Sequence, residues 1–124
     1  MATVTFAAAF GVIGLETSCA AALTYLYHAN ILTPVELIRK MSLNPNRILN
    51  LSGGTLSIDS LADITIIDPQ RAWRVDPACF YSKSKNTPFN AMDLKGYCRY
   101  TIMGGRIVYE RKPMKYDSSL PTHD

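Results

Sequence analysis

Histidine and cysteine, the usual protein ligands of transition metals, are scarce in this sequence of 124 residues. The two histidines, His28 and His123, lie far apart, and neither has a His, Asp or Cys partner at the spacing of a metal site. The three cysteines, Cys19, Cys79 and Cys98, form no CxxC pair, which argues against a disulfide framework and a structural zinc site. We therefore expect reduced thiols, a cytoplasmic location and no metal bound by the chain alone.

Long apolar runs and clustered charges are also lacking. The apolar opening of the chain contains Glu16 and has no Lys or Arg before it, which argues against a signal peptide and a membrane span. The net charge is +3, and its whole excess lies in residues 63–124, where the basic residues are scattered. This distribution argues against nucleic-acid binding, because such proteins usually cluster their basic residues on one face.

What the sequence does contain is enough apolar character, 48%, for one modest core. A complete eight-fold α/β barrel needs about 250 residues and cannot fit. Residues 14–50 have a helical pattern, because apolar side chains recur at the spacing of one helix face. These side chains are Leu15, Cys19, Ala22 and Leu26. Asn30 is suited to end that helix.

A second helix is predicted to begin at Thr33, whose side chain can cap the free backbone N–H groups. Pro34 fits the first helical position, and Glu36 can bond back to the cap. Asn44-Pro45 is expected to stop this helix and to open a short third turn that runs through Leu49.

After Ser52-Gly53-Gly54 the pattern changes from helix to strand. The β-branched run Ile64-Thr65-Ile66-Ile67 predicts a strand, which Asp68-Pro69 is expected to close with a turn. Asp63 and Asp68 are interpreted as strand-end and turn residues. Glu16 is expected to stabilise a helix start through the helix dipole. No catalytic residue is predicted among these carboxylates.

A β-hairpin is predicted near the end of the chain. Tyr97 to Met103 and Arg106 to Tyr109 flank Gly104-Gly105, a two-residue loop. Glycine permits the positive φ angles that a type I′ turn requires, so this pair is typical of a hairpin connection.

Two motifs are specific enough to indicate a family. They are Phe10-Gly11-Val12-Ile13-Gly14-Leu15-Glu16-Thr17 and Lys85-Asn86-Thr87-Pro88-Phe89. Leu61-Ala62-Asp63-Ile64 and Gly104-Gly105-Arg106 are typical of amidohydrolases in general. In this combination and order the chain, from about Phe6 to Glu110, resembles the C-terminal part of the bacterial-type dihydroorotases of the amidohydrolase superfamily.

The resemblance implies an α+β fragment. Residues 1–52 resemble the last helices of a (β/α)8 amidohydrolase barrel, and residues 53–112 resemble the C-terminal strands of a small β domain, ending in a hairpin. Residues 113–124 are expected to form a mobile tail. The activity implied is that of a zinc-dependent hydrolase of cyclic amides, which interconverts carbamoyl aspartate and dihydroorotate in pyrimidine biosynthesis. The family's metal ligands and catalytic aspartate come from earlier barrel strands, so zinc is not expected to bind this chain alone.

The resemblance also implies two substrate-binding residues, Phe10 and Gly11. In the family a Pro-Phe-Gly segment after the last barrel strand contacts the substrate, largely through its backbone. Here Ala9 replaces the proline, a change that a backbone contact tolerates better than a side-chain contact. The other interpretation is that Phe10 packs in the core and Gly11 serves a turn.

The chain is interpreted as a truncated reading frame, one piece of a split gene or a degenerate copy. A piece of a hydrolase would need the missing N-terminal portion of a dihydroorotase, or would form a homo-oligomer. A non-catalytic subunit would instead bind a partner such as aspartate transcarbamoylase. Exposed sheet edges and barrel-facing helix surfaces predict oligomers or aggregation of the isolated chain.

Overall fold

A computed structural model describes residues 11–111 of the chain. Phe10, His123 and the tail over 113–124 lie outside the described residues. The described part has α+β organisation, with helices in its first half followed by a three-stranded antiparallel sheet in the order β1-β2-β3. The strands are β1 (Ile64–Arg74), β2 (Asp93–Met103) and β3 (Arg106–Glu110), and a single 3₁₀ turn, Pro77–Cys79, follows β1.

The first helical segment consists of α1 (Ser18–Ala22) and a π-helical turn, Leu23–Tyr27. It ends near Asn30, which has a positive φ of 56° as expected for a helix C-terminus. The prediction for Leu15 was wrong, because this side chain is 95% exposed. Gly14 is the reason: its carbonyl accepts the N–H groups of Thr17 and Ser18, so the chain still turns at Leu15 and the helix begins later.

The second helical segment begins as predicted. Thr33 caps α2 (Pro34–Ile38) through a capping box with Glu36. Hydrogen bonds from the Thr33 backbone N–H and hydroxyl lower the pKa of Glu36. The segment continues through a π-helical turn, Arg39–Leu43, into α3 (Asn44–Ile48).

Asn44-Pro45 therefore does not stop the second helix, and that part of the prediction was wrong, whereas the expected short third turn is α3, whose C-cap is Leu49. The π-helical turn explains the difference. Asn44 donates its N–H to the Arg39 carbonyl, five residues back, and this wider turn brings Pro45 to the beginning of a new α-helical turn. Proline is tolerated there because the first helical N–H groups need no partner within the helix.

Strand β1 also continues past the expected turn at Asp68-Pro69. The register with β2 shifts between Asp68 and Ala72, so extra residues bulge out of the ladder at this point. Pro69 has no N–H to donate, and the Asp68 carboxylate accepts the N–H groups of Gln70 and Arg71 at 3.0 and 3.3 Å. The predicted turn is thus a bulge within one longer strand.

The predicted hairpin is confirmed. Gly104 and Gly105 both have positive φ, 55° and 75°, and join β2 to β3. Asp63 directly precedes β1, as expected for a strand-end residue, and its carboxylate accepts the Gly104 N–H at 2.7 Å. The hairpin turn is thereby fixed to the neighbouring strand end.

The core lies between the first helical segment and the sheet. Ala20, Val75 and Leu94 form its buried centre, and the partly buried rings of Trp73, Phe80 and Phe89 pack around it. None of the helices in the described range has the length and apolar character that crossing a bilayer requires.

The π-helical turn Leu23–Tyr27 docks on β2 at the β1 bulge. The Thr24 hydroxyl accepts the Lys95 N–H at 2.8 Å and donates to the Lys95 carbonyl at 3.2 Å. The His28 Nε2–H donates to the Pro69 carbonyl at 2.6 Å, close to the end of the helix where this histidine was expected. Gly96 has a positive φ of 90° and leaves room for Leu23.

Candidate functional site

The two most specific sequence motifs meet in the fold. The loop over residues 11–17 precedes α1, and the segment over residues 82–89 connects the 3₁₀ turn to β2. The Asn86 side-chain amide donates to the Gly11 carbonyl, and the Ile13 N–H donates to the Asn86 carbonyl at 3.0 Å. Two segments that are 75 positions apart at Gly11 and Asn86 thus form one structure, which we call the loop clasp.

A second hydrogen bond between the two segments, made by Glu16, extends the loop clasp. The half-buried Glu16 carboxylate accepts the Ser82 N–H at 2.9 Å. Glu16 was expected to stabilise a helix start, but it lies before α1 and its observed partner is a backbone N–H in the second segment. The Lys85 ammonium donates to the carbonyls of Phe80 and Ser82 at 2.8 and 3.0 Å and curls that segment.

Gly11 gives the loop clasp its backbone geometry. Its φ is +83°, a left-handed conformation that favours glycine. A Cβ at this position would meet nothing within 4 Å, so the space beside Gly11 is open in the described part of the chain. Gly11 is exposed and does not pack in a core. Phe10, the other expected substrate-binding residue, lies outside the described residues.

Beside the loop clasp is an aromatic cavity of about 650 Å³. The Arg111 guanidinium lies between two of its rings, 4.2 Å from the centre of Trp73 and 4.6 Å from the centre of Tyr97. Such cation–π contacts stabilise a charge away from water. Burial lowers the pKa of Arg111, although the group remains charged at neutral pH.

All three cysteines line this cavity as free thiols. Cys19 of α1 and Cys98 of β2 are half-buried neighbours on this cavity. The Cys19 thiol, as a hydrogen-bond donor, and the positive charge of Arg111 lower the pKa of Cys98 to about 7, and the interaction between the two thiols raises the pKa of Cys19. Cys79 is exposed, and the hydrogen bond from its thiol to Asp76 raises its pKa.

The described residues do not fit a zinc centre. Between residues 11 and 111, no three His, Cys, Asp or Glu side chains gather where they could hold a metal ion. His28 donates to a backbone carbonyl. Asp63 and Asp68 accept backbone N–H groups and serve as strand-end and bulge residues.

The sequence indicated Gly11 but not its partner. Gly11 and Glu16 belong to one of the two family motifs and Asn86 to the other, but neither motif indicates that the two segments are in contact. The only indication in the sequence was that both segments carry motifs of the same family. The pairing of Cys19 with Cys98 was also missed, because their separation along the chain gives no indication of contact in space.

Comparison with known proteins gives consistent matches. The profile of the amidohydrolase family matches residues 7–108. A dihydroorotase of Pelotomaculum thermopropionicum is 47% identical over 108 residues, covering 87% of this chain and 25% of that protein. A dihydroorotase of Syntrophus aciditrophicus is 50% identical over 103 residues, covering 83% and 24%. The solved L-hydantoinase (dihydropyrimidinase) of Arthrobacter aurescens superposes with a TM-score of 0.79 at 30% identity, covering 89% and 25%. The chain thus spans about a quarter of the length of these relatives.

Proposed function

We propose that this chain, which belongs to the amidohydrolase family, is the C-terminal portion of a dihydroorotase that interconverts carbamoyl aspartate and dihydroorotate. In this proposal residues 1–52 end a (β/α)8 barrel, and residues 53–112 complete the small β domain beside it. The similarity to curated dihydroorotases, 47% identity over 87% of the chain, supports this assignment. The part of the dihydroorotases that this chain does not cover would supply the rest of the barrel.

The observation that carries the proposal is the loop clasp. Asn86 fixes the Gly11 carbonyl, and Glu16 fixes the chain at Ser82, so the backbone of the loop is held from two sides. Main-chain groups can orient a substrate only when the backbone that carries them is held in place. We assign substrate positioning to the backbone at Phe10 and Gly11.

Zinc, which the family uses, is not assigned to the residues of this chain. The described residues gather no ligand set for it, so we derive no catalytic step from a metal here. The contribution of the chain is to bind and orient the cyclic amide beside a centre that other residues build.

The remaining portion of the enzyme is the proposed partner of this chain. Large apolar side chains are almost fully exposed, including Leu15 at 95%, Ile58 at 93% and Leu56 at 80%. Such surface on a small domain is typical of an interface, because apolar area exposed to water costs free energy. A barrel wall of the same enzyme would cover it. Without that wall, the isolated chain is expected to associate with itself.

Complementation in trans tests the proposal. The chain is co-expressed with the part of the Pelotomaculum thermopropionicum dihydroorotase that it does not match, and dihydroorotate hydrolysis is measured. We expect a stable complex with activity. A complex that gains no activity, or a chain that binds aspartate transcarbamoylase instead, would favour the non-catalytic interpretation and contradict ours.

A matched pair of variants tests the role of Gly11 in the same complex. Gly11→Val and Gly105→Val both place a β-branched residue at positive φ, +83° and +75°, with nothing within 4 Å of the new Cβ. Their backbone strain is therefore similar. We expect Gly11→Val to lower kcat/KM at least tenfold and Gly105→Val to leave it nearly unchanged. Equal effects would show that strain, and not substrate contact, is responsible.

A further inference from the structure

The contact between Cys19 and Cys98 follows from the way α1 and its π-helical continuation lie on β2. Leu23 packs over Gly96, since a Cβ on Gly96 would collide with the Leu23 side chain. Cys19 lies four residues before Leu23, about 6 Å along a helix, and Cys98 lies two residues after Gly96, about 6.6 Å along a strand. Leu23 packs over Gly96 and Thr24 contacts Lys95, so the helical segment and β2 run in opposite directions. The two steps are nearly equal, so Cys19 and Cys98 lie at the same level on the facing surfaces.

The surroundings of this pair are those of a reactive thiol site. Cys19, Cys98 and Arg111 all line the 650 Å³ cavity. The Arg111 charge favours the thiolate of Cys98, and so does the neighbouring Cys19 thiol as a hydrogen-bond donor. A thiolate held by a cation and a thiol donor beside a cavity is the arrangement in which cysteine acts as a nucleophile.

We propose that Cys98 and Cys19 form a redox site, at which a hydroperoxide oxidises the pair to a disulfide that joins α1 to β2. The Cys98 thiolate attacks the peroxide, so an S–O bond forms and the O–O bond breaks, and the leaving oxygen takes a proton. Cys19 then attacks the sulfur of the Cys98 sulfenic acid. The S–S bond forms, the S–O bond breaks, and hydroxide leaves as water with the Cys19 proton. Two thiols lose two electrons, and the peroxide gains them.

The disulfide would act on the candidate functional site. Cys19 follows the loop clasp by only a few residues, and the bond would fix the start of α1 to the sheet. The disulfide would thereby restrict the position of the loop over residues 11–17. The site itself depends on the thiols and their cavity, and it stands whether or not the chain is part of a dihydroorotase.

Peptide mapping after peroxide treatment tests the proposal on the full chain. Trypsin places each cysteine in its own peptide, 1–39 for Cys19, 75–83 for Cys79 and 96–99 for Cys98. Reduced protein is treated with hydrogen peroxide and digested without reductant. We expect a linked product of peptides 1–39 and 96–99. No linkage, or linkage through peptide 75–83, would overturn the proposal.

Matched variants separate the roles of the three thiols. Cys79→Ser should form the same disulfide at the same rate as the original chain. Cys19→Ala should form none and should leave Cys98 as a sulfenic acid that a 1,3-diketone reagent traps. A mixture of isotopically labelled and unlabelled chains checks that the bond forms within one molecule. Linked peptides of mixed label as the main product would contradict the proposal.

Alkylation by iodoacetamide adds a readout that does not need the Cys19 variant to fold. The thiolate is the reacting species, so the rate at Cys98 should reach half its maximum near pH 7, whereas Cys79 should titrate only at alkaline pH. The other titratable groups on the cavity are Glu16, Asp76, Tyr81, Tyr97, Tyr109, Glu110 and Arg111. Equal rates at Cys98 and Cys79 at pH 7 would overturn the proposal.

Discussion

Substitution of Gly96 by alanine is expected to cost much of the stability of this domain. Gly96 has a φ of +90° in β2, where the first helical segment crosses the sheet. An added Cβ would collide with the Leu23 Cδ1 and would lie 3.1 Å from the Leu23 Cβ and 3.2 Å from the Pro69 carbonyl oxygen. Leu23 is 5% exposed, so its side chain has little room to move away.

The magnitude is the sum of two effects. A residue other than glycine in the left-handed region costs about 1–2 kcal/mol. Forcing an extra methyl group into packed surroundings costs about 1–3 kcal/mol. We therefore expect Gly96→Ala to lower the free energy of unfolding by about 2–5 kcal/mol, which is a large share of the about 5–15 kcal/mol of a typical domain.

Gly105→Ala is the control, because it carries only the first of these costs. Its φ is +75° and a Cβ added there would have no neighbour within 4 Å, so about 1–2 kcal/mol is expected. Urea unfolding at fixed protein concentration measures both variants through the fluorescence of Trp73, the single tryptophan. Trp73 donates its indole N–H to the Gly96 carbonyl at 3.1 Å and reports on this position directly. Equal losses in the two variants would refute the packing argument.

Single contacts, together with the lack of a metal ligand set among residues 11–111, support three further predictions. Thr33→Ala removes the cap of α2 and should lower the free energy of unfolding, measured in urea, by about 1 kcal/mol. The pKa of Glu36 is lowered in the folded state, so the stability that depends on the Glu36 charge should be lost as the pH falls through the folded-state pKa of Glu36. Asn86→Ala removes the hydrogen bond to the Gly11 carbonyl and should raise KM in the complemented enzyme while leaving the urea midpoint nearly unchanged. A lower urea midpoint with an unchanged KM would contradict the role given to the loop clasp. Elemental analysis after a chelator wash should find zinc well below one equivalent in the purified chain, and a stoichiometric metal would contradict our interpretation.

Local chemistry explains which parts of the fold could be predicted from the sequence. The Thr33 cap and the Gly104-Gly105 hairpin were predicted correctly because their residues act on their immediate neighbours. Asp68-Pro69 has the composition of a turn, yet it forms a bulge. The Lys95 and Gly96 backbone groups opposite it bond to Thr24 and Trp73, and these partners are distant in sequence.

In the candidate site, too, contacts between residues that are distant in sequence could not be predicted. Gly11 could be indicated by family resemblance, whereas its hydrogen bond with Asn86 depends on the return of a distant segment. The Cys19–Cys98 contact depends on where a helix crosses a strand, which no local pattern encodes. Leu15 was wrongly predicted to lie on the helix face. The spacing of apolar residues does not reveal that the N–H groups of Thr17 and Ser18 bond to the Gly14 carbonyl, so that the helix starts after Leu15.

The most direct test of the central claim is a titration of activity. The part of the Pelotomaculum thermopropionicum dihydroorotase that this chain does not match is held at fixed concentration, and the chain is added in steps while dihydroorotate hydrolysis is followed. We predict no turnover by either piece alone and activity that saturates at one chain per partner. Turnover by the chain alone, in a preparation free of host dihydroorotase, or no turnover by a stable complex of the two pieces, would contradict the account.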